Sequence, residues 1–215
     1  LYNILGAISK GLGKLNKALE AYKNAISIKP DYADAYNNMG AVFTDQGKLN
    51  EAIEAFNEAI LIKPDYAEPY YNMGNALRDQ GKLDEAIEAL NEAISIKPNY
   101  ADAYNSMGIA LHNQGKFSEA IVFYNKALSI RPNYTSAYNN MGVGLRDQGN
   151  LDEAIAFYKK ALSIKPNYAS AFNNMGVALR DQGKFHEAIT VFNQAISIKS
   201  DYAEPYYNMG ATLGD

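Results

Sequence analysis

Apolar side chains recur along this chain at helical spacing in short runs, and the runs return every 34 residues. Tyr36, Met39 and Phe43 fall at i, i+3, i+7 and make one face. Leu49, Ile53, Phe56 and Ile60 fall at i, i+4, i+7, i+11 and make a second. The spacing predicts a helix A from about Tyr32 to Asp45 and a helix B from about Leu49 to Ile62. Gly40, Ala52 and Ala59 are small, so the two helices can approach closely. Gly47 stands just past helix A, where the backbone often needs a positive φ. Pro64 is placed to stop helix B, and Asp65 to cap the next helix.

The hairpin is copied. Pro30, Pro64, Pro98, Pro132 and Pro166 are each 34 apart, with Ser200 next in the series. Gly40, Gly74, Gly108, Gly142, Gly176 and Gly210 keep the same spacing, as do Gly47, Gly81, Gly115, Gly149 and Gly183. With Ala33 as position 1, complete units span 33–66, 67–100, 101–134, 135–168 and 169–202. Residues 1–32 lack only two positions of a unit, and 203–215 supply helix A alone, which predicts thirteen helices. One hairpin of this size cannot bury its apolar face, so copies must stack into a continuous core. Positions 4, 7, 8 and 11 of helix A read as core; of the remaining 2, 5, 6, 9, 12 and 13, positions 2, 6, 9 and 13 share one stripe, the candidate groove.

The pattern Tyr36–x2–Met39–Gly40–x2–Phe43, Ala52–x3–Phe56–x2–Ala59 and Pro64 resembles the tetratricopeptide repeat (TPR). The resemblance covers essentially the whole chain and implies an all-α, right-handed superhelix of about 13 antiparallel helices, a single array over 1–215. It also implies that helix A lines the inner wall. At position 6 stand Asn38, Asn72, Asn140, Asn174 and Asn208, broken by Ser106. Asn is a mediocre helix former, whereas its amide matches a peptide bond's donor and acceptor. The row is similar to the Asn ladder of the O-linked N-acetylglucosamine transferase and SPINDLY-type proteins, where the ladder holds substrate polypeptide backbones. Position 5 adds Asn37, Asn105, Asn139, Asn173, Tyr71 and Tyr207; position 2 adds Asp34, Glu68 and Asp102; position 12 adds Arg78, Arg146 and Arg180. These are the candidate peptide-binding residues. The position-2 acids also suit a helix N-terminus, and the arginines a helix C-terminus, without any ligand.

Composition narrows the function further. There are 20 Lys+Arg against 24 Asp+Glu, a balance that disfavours nucleic acid as a partner. The absence of Cys removes disulfides, thiolate metal sites and Cys nucleophiles. His112 and His186 match no metal spacing, and no apolar run is long enough for a membrane span. No cofactor, metal or catalytic residue is expected. Charge is uneven: 1–32 sets five lysines against Glu20 and Asp31 for +3, while 33–66 carries −4 and 67–100 carries −3. The expected function is a protein-interaction scaffold taking extended peptides. Two alternatives are the recognition arm of a larger enzyme and self-association through uncapped terminal helices, where Tyr206, Met209 and Leu213 should be partly uncovered. A cytoplasmic location is the accompanying expectation.

Overall fold

The computed structural model describes residues 1–214. Among the described residues there are thirteen α-helices: α1 (Tyr2–Gly11), α2 (Leu15–Ile28), α3 (Ala33–Asp45), α4 (Leu49–Ile62), α5 (Ala67–Asp79), α6 (Leu83–Ile96), α7 (Ala101–Asn113), α8 (Phe117–Ile130), α9 (Thr135–Asp147), α10 (Leu151–Ile164), α11 (Ala169–Asp181), α12 (Phe185–Ile198) and α13 (Ala203–Gly214). No strand interrupts them. The helices group into two compact units, Leu1–Ala110 and Leu111 onward. In each unit, helix A of a repeat packs on its own helix B, and that helix B packs on helix A of the next repeat.

The close approach depends on glycine at position 8. A Cβ on Gly40 would stand 2.5 Å from Cε1 of Phe56, and one on Gly176 2.5 Å from Cε1 of Phe192. Gly142 meets Tyr158 at the same distance, and Gly74 meets Cγ of Leu90 at 2.7 Å. The helix A backbone therefore lies directly on the large buried side chain of helix B. The A-to-B turn closes with a glycine at positive φ, 72° at Gly47 and 82° at Gly149. Lys48 N–H reaches Phe43 O at 2.9 Å, and Gly47 N–H reaches Thr44 O at 2.9 Å, which satisfies carbonyls the helix end would otherwise leave open.

Three local expectations change. The N-cap of α5 is Tyr66, without a side-chain capping bond, so Asp65 does not cap the helix. Pro64 is not the sole stop for helix B: α12 ends at Ile198 although Ser200 replaces the proline. The buried face of helix A is also wider than positions 4, 7, 8 and 11. Ala35 and Val42 are fully buried, and so is Asn37, because helix A packs on helix B on one side and on the preceding repeat on another.

Tyr158 is completely buried, and its hydroxyl has no hydrogen-bond partner. Burial pushes its pKa up, the nearby Arg146 charge only partly opposing this. Repeats with Phe56 and Phe192 at this position avoid the problem. Tyr158→Phe is expected to raise stability by about 1 kcal/mol, read as a higher urea midpoint at unchanged slope. A lower midpoint would contradict the orphaned hydroxyl.

Candidate functional site

In unit 1, α3 and α5 carry positions 2, 5, 6, 9, 12 and 13; in unit 2, α9 and α11 carry them all and α13 carries 2, 5, 6, 9 and 12. Their asparagines do not sit side by side as independent groups. Asn72 Nδ2 donates to Asn37 Oδ1 at 2.9 Å, and Asn38 Nδ2 to Asn3 Oδ1 at 3.1 Å. In unit 2, Asn174 Nδ2 donates to Asn139 Oδ1 at 3.0 Å, and Asn208 Nδ2 to Asn173 Oδ1 at 3.0 Å. These four position-6 amides thus reach back to position 5 of the preceding repeat.

The bond continues into the repeat boundary. Asn3 Nδ2 donates to Tyr32 Oη at 3.1 Å. Tyr66, one repeat later, lies between Asp34 and Asn37: burial first, then its hydrogen bond to the Asp34 carboxylate, pushes the phenol pKa well up, while a hydrogen bond with Asn37 opposes the shift. Tyr202 is raised by burial and partly relieved by a hydrogen bond from Ser170. A relay therefore runs from position 6, through the position-5 Asn, to the boundary tyrosine, as in Asn38–Asn3–Tyr32. Asn37, Asn105, Asn139 and Asn173 are all buried, so position 5 belongs to the junction between repeats and not to an open face. Asn38, Asn72, Asn140, Asn174 and Asn208 remain half-buried.

Tyr71 changes the pattern within α5. Its ring sits 5.0 Å from that of Tyr100, tilted by 43°. The next position-6 residue is Ser106, which is buried, so a large residue at position 5 is followed by a small one at position 6. Tyr207 also holds position 5, and it is one of the most exposed large side chains. Neighbouring Glu68 pairs with Lys97 at 2.9 Å, and Lys97 Nζ lies 4.4 Å from the centre of the Tyr100 ring. Partial burial alone would raise the Glu68 pKa; the Lys97 hydrogen bond, a backbone bond and the Lys97 and Lys63 charges together bring it below the ordinary value. A lowered folded-state pKa means stability that is present above the unfolded carboxylate range and lost as pH falls through the folded value. Glu68→Gln should therefore have a lower Tm than the parent at neutral pH, with the gap closing in acid; a pH-independent gap would exclude this linkage.

Asp34 is exposed and Asp102 half-buried. The arginines are steadied by the residue that follows. Arg78 Nη2 lies 2.8 Å from Asp79 Oδ1 while its Nη1 donates to Asn75 Oδ1 at 2.9 Å. Arg146 Nη2 lies 2.7 Å from Asp147 Oδ1, and Arg180 Nη2 3.5 Å from Asp181 Oδ1. His112 Nε2 contacts Asp147 Oδ2 at 2.8 Å. Among the described residues no cluster of His, Cys, Asp or Glu could hold a metal ion, and no helix is long and apolar enough to cross a membrane. The structure adds a junction role that sequence spacing did not show. The available signal was the 35-residue offset between positions 5 and 6, where Tyr71 and Ser106 depart together.

The comparisons agree with this architecture. A family model described as a TPR repeat matches residues 11–44, 40–77 and 74–115; models described as tetratricopeptide repeat match 101–134 and 133–201. No curated protein matches by sequence. Among solved structures, MamA is 32% identical with a TM-score of 0.67, covering 77% of this chain and 96% of that one. A chain of the APC/C Cut9–Hcn1 hetero-tetramer is 18% identical with a TM-score of 0.87, covering 99% of this chain; this chain spans 42% of that one. YrrB, described as a TPR protein with an unusual peptide-binding site, is 24% identical with a TM-score of 0.65, covering 88% and 97%. Repeats, helices and matches together place the chain in the tetratricopeptide repeat family.

Proposed function

We propose that this TPR chain is a protein-interaction scaffold that holds extended peptide segments on its helix A face. The observation that carries the reading is the chemistry left over at position 6. Asn38, Asn72, Asn174 and Asn208 each use one N–H to bind the preceding repeat and stay half-exposed. The back-bond fixes the amide plane, so the carbonyl oxygen and the second N–H are presented in a set orientation to a ligand backbone. Packed helices lie about 8–10 Å apart and an extended peptide advances about 3.3 Å per residue, so one Asn meets about every third ligand residue. Asn140 extends this row in unit 2. Asp34 and Asp102 flank it at the start of helix A and Arg78, Arg146 and Arg180 near its end, where they would read ligand side chains.

The known description of YrrB supports peptide binding, and its transfer to this chain is part of the proposal. So is the likeness to the O-linked N-acetylglucosamine transferase ladder. Peptides selected from an array should bind in fluorescence anisotropy, and Asn72→Ala with Asn174→Ala should weaken them by about tenfold. Two lost amide contacts at about 0.5–1.5 kcal/mol each set that scale. Measurement is made where circular dichroism shows both proteins fully helical. Unchanged affinity for every selected peptide would refute the proposal.

A further inference from the structure

A second surface lies on the B helices of unit 1, away from the asparagine row. A groove of about 590 Å³ opens between α4 and α6. Its floor is apolar, built from Ile53, Tyr70, Met73, Leu77 and Ala89; its rim carries Glu85, Glu88 and Glu92. These three carboxylates are exposed and have no ion-pair partner among the described residues. On α4, Glu54 and Glu58 are also exposed, and Leu61 stands 73% exposed where the other repeats have Ser.

The chain shows what fits such a groove, because a later repeat fills its own copy. In α10 the position of Ala89 holds Phe157 and the position of Glu92 holds Lys160. The Phe157 ring packs 6.1 Å from that of Tyr138, which corresponds to the floor residue Tyr70. Lys160 Nζ caps the Phe157 ring at 4.7 Å and stands 6.0 Å from the Tyr138 ring. The opening is smaller where the residue at this position is larger: with Val191 in place of Ala89, the equivalent groove among α10, α11 and α12 has about 230 Å³. Unit 1 thus has the same Tyr–Met–Leu floor, but it has alanine in place of the ring, and Glu92 replaces the lysine.

We infer that this groove docks a partner protein through an amphipathic segment that inserts an aromatic side chain followed within a turn by Lys or Arg residues. The ring would lie on Tyr70 and Met73 as Phe157 lies on Tyr138. The cations would meet Glu85, Glu88 and Glu92, which supply both attraction and orientation. The inference is independent of peptide binding on the helix A face, since none of its residues belongs to the asparagine row.

The test uses the whole chain and, as probe, an N-acetylated, C-amidated, fluorescein-labelled peptide with the sequence of residues 154–164, which carries Phe157, Lys159 and Lys160 and no acidic residue. Binding is expected in anisotropy at low salt and should weaken as salt is added. Ala89→Phe copies the residue that α10 already accommodates, and it should reduce affinity by about tenfold or more by occupying the groove. Glu88→Lys with Glu92→Lys changes only exposed side chains and should do the same without filling the groove. A peptide with both lysines replaced by Glu should recover binding to that charge-reversed protein. Equal affinity of the parent and A89F for the probe would overturn the inference. Self-association of the parent that A89F abolishes, seen by light scattering, would also overturn it, by making a second copy the occupant.

Discussion

Phe192→Ala should remove about 3–5 kcal/mol of stability, the range for emptying a fully buried aromatic site. Phe192 is completely buried, and its ring lies against the bare backbone of Gly176. Because position 8 has no side chain, nothing on helix A can move into the vacated space. The loss should also be local. Repeats exchange stability mainly with their neighbours, so α11, α12 and α13 should open together at low urea while unit 1 keeps its protection. Amide hydrogen exchange in the folded baseline would show this directly. Uniform loss of protection over both units would mean that the array unfolds as one cooperative body, contrary to the nearest-neighbour view.

Asn37→Ala is the second large effect, at about 1–3 kcal/mol, because it empties a buried polar site and leaves the Asn72 amide without its Oδ1 acceptor. A double-mutant cycle with Asn72→Ala isolates the link. Removing Asn72 after Asn37 is already absent should cost less than removing it from the parent, with a coupling of about 0.5–1.5 kcal/mol in urea unfolding. The same pair separates strut from ligand contact. Asn37→Ala leaves Asn72 on the face and should alter peptide affinity much less than Asn72→Ala does. If both changes weaken binding equally, orientation by the back-bond and not contact by Asn72 governs affinity. A coupling of zero would remove the relay as an energetic link.

Much of the fold was legible because it rests on short-range rules. Helix B was placed at Leu49–Ile62 from its i, i+4, i+7 apolar stripe, and the structure has that span. Gly47 was readable because a turn after helix A needs a φ that few residues tolerate. The candidate site was harder to read because its key contacts span repeats. Asn37 appeared as one more polar residue on an open face, yet it is buried by the neighbouring helix and bonded 35 residues away. Periodicity along one helix reports which residues share a face; it does not report which of two faces a neighbouring repeat covers. Asp65 failed as a cap for a similar reason, since Tyr66 takes the cap position and turns its side chain to the preceding helix A. The B-helix groove was invisible to pattern, because Ala89 reads as ordinary small packing until its counterpart Phe157 is seen lying on Tyr138.

The back-bond from position 6 to position 5 also acts as a rule of succession. A repeat carrying Asn at position 6 matches a predecessor with Asn at position 5, as at Asn72 with Asn37 and at Asn174 with Asn139. The repeat carrying Ser106 instead follows the one carrying Tyr71. Repeats that look interchangeable by their 34-residue spacing therefore come in kinds that differ in which neighbour they accept. Shuffling 101–134 to follow 33–66 would set Ser106 beside Asn37 and leave a buried amide unmatched, whereas 135–168 and 169–202 both carry Asn at positions 5 and 6 and could be exchanged without changing the residue types that meet. An array of this sort can be lengthened or reordered by copying blocks, but only at seams where donor and acceptor still meet.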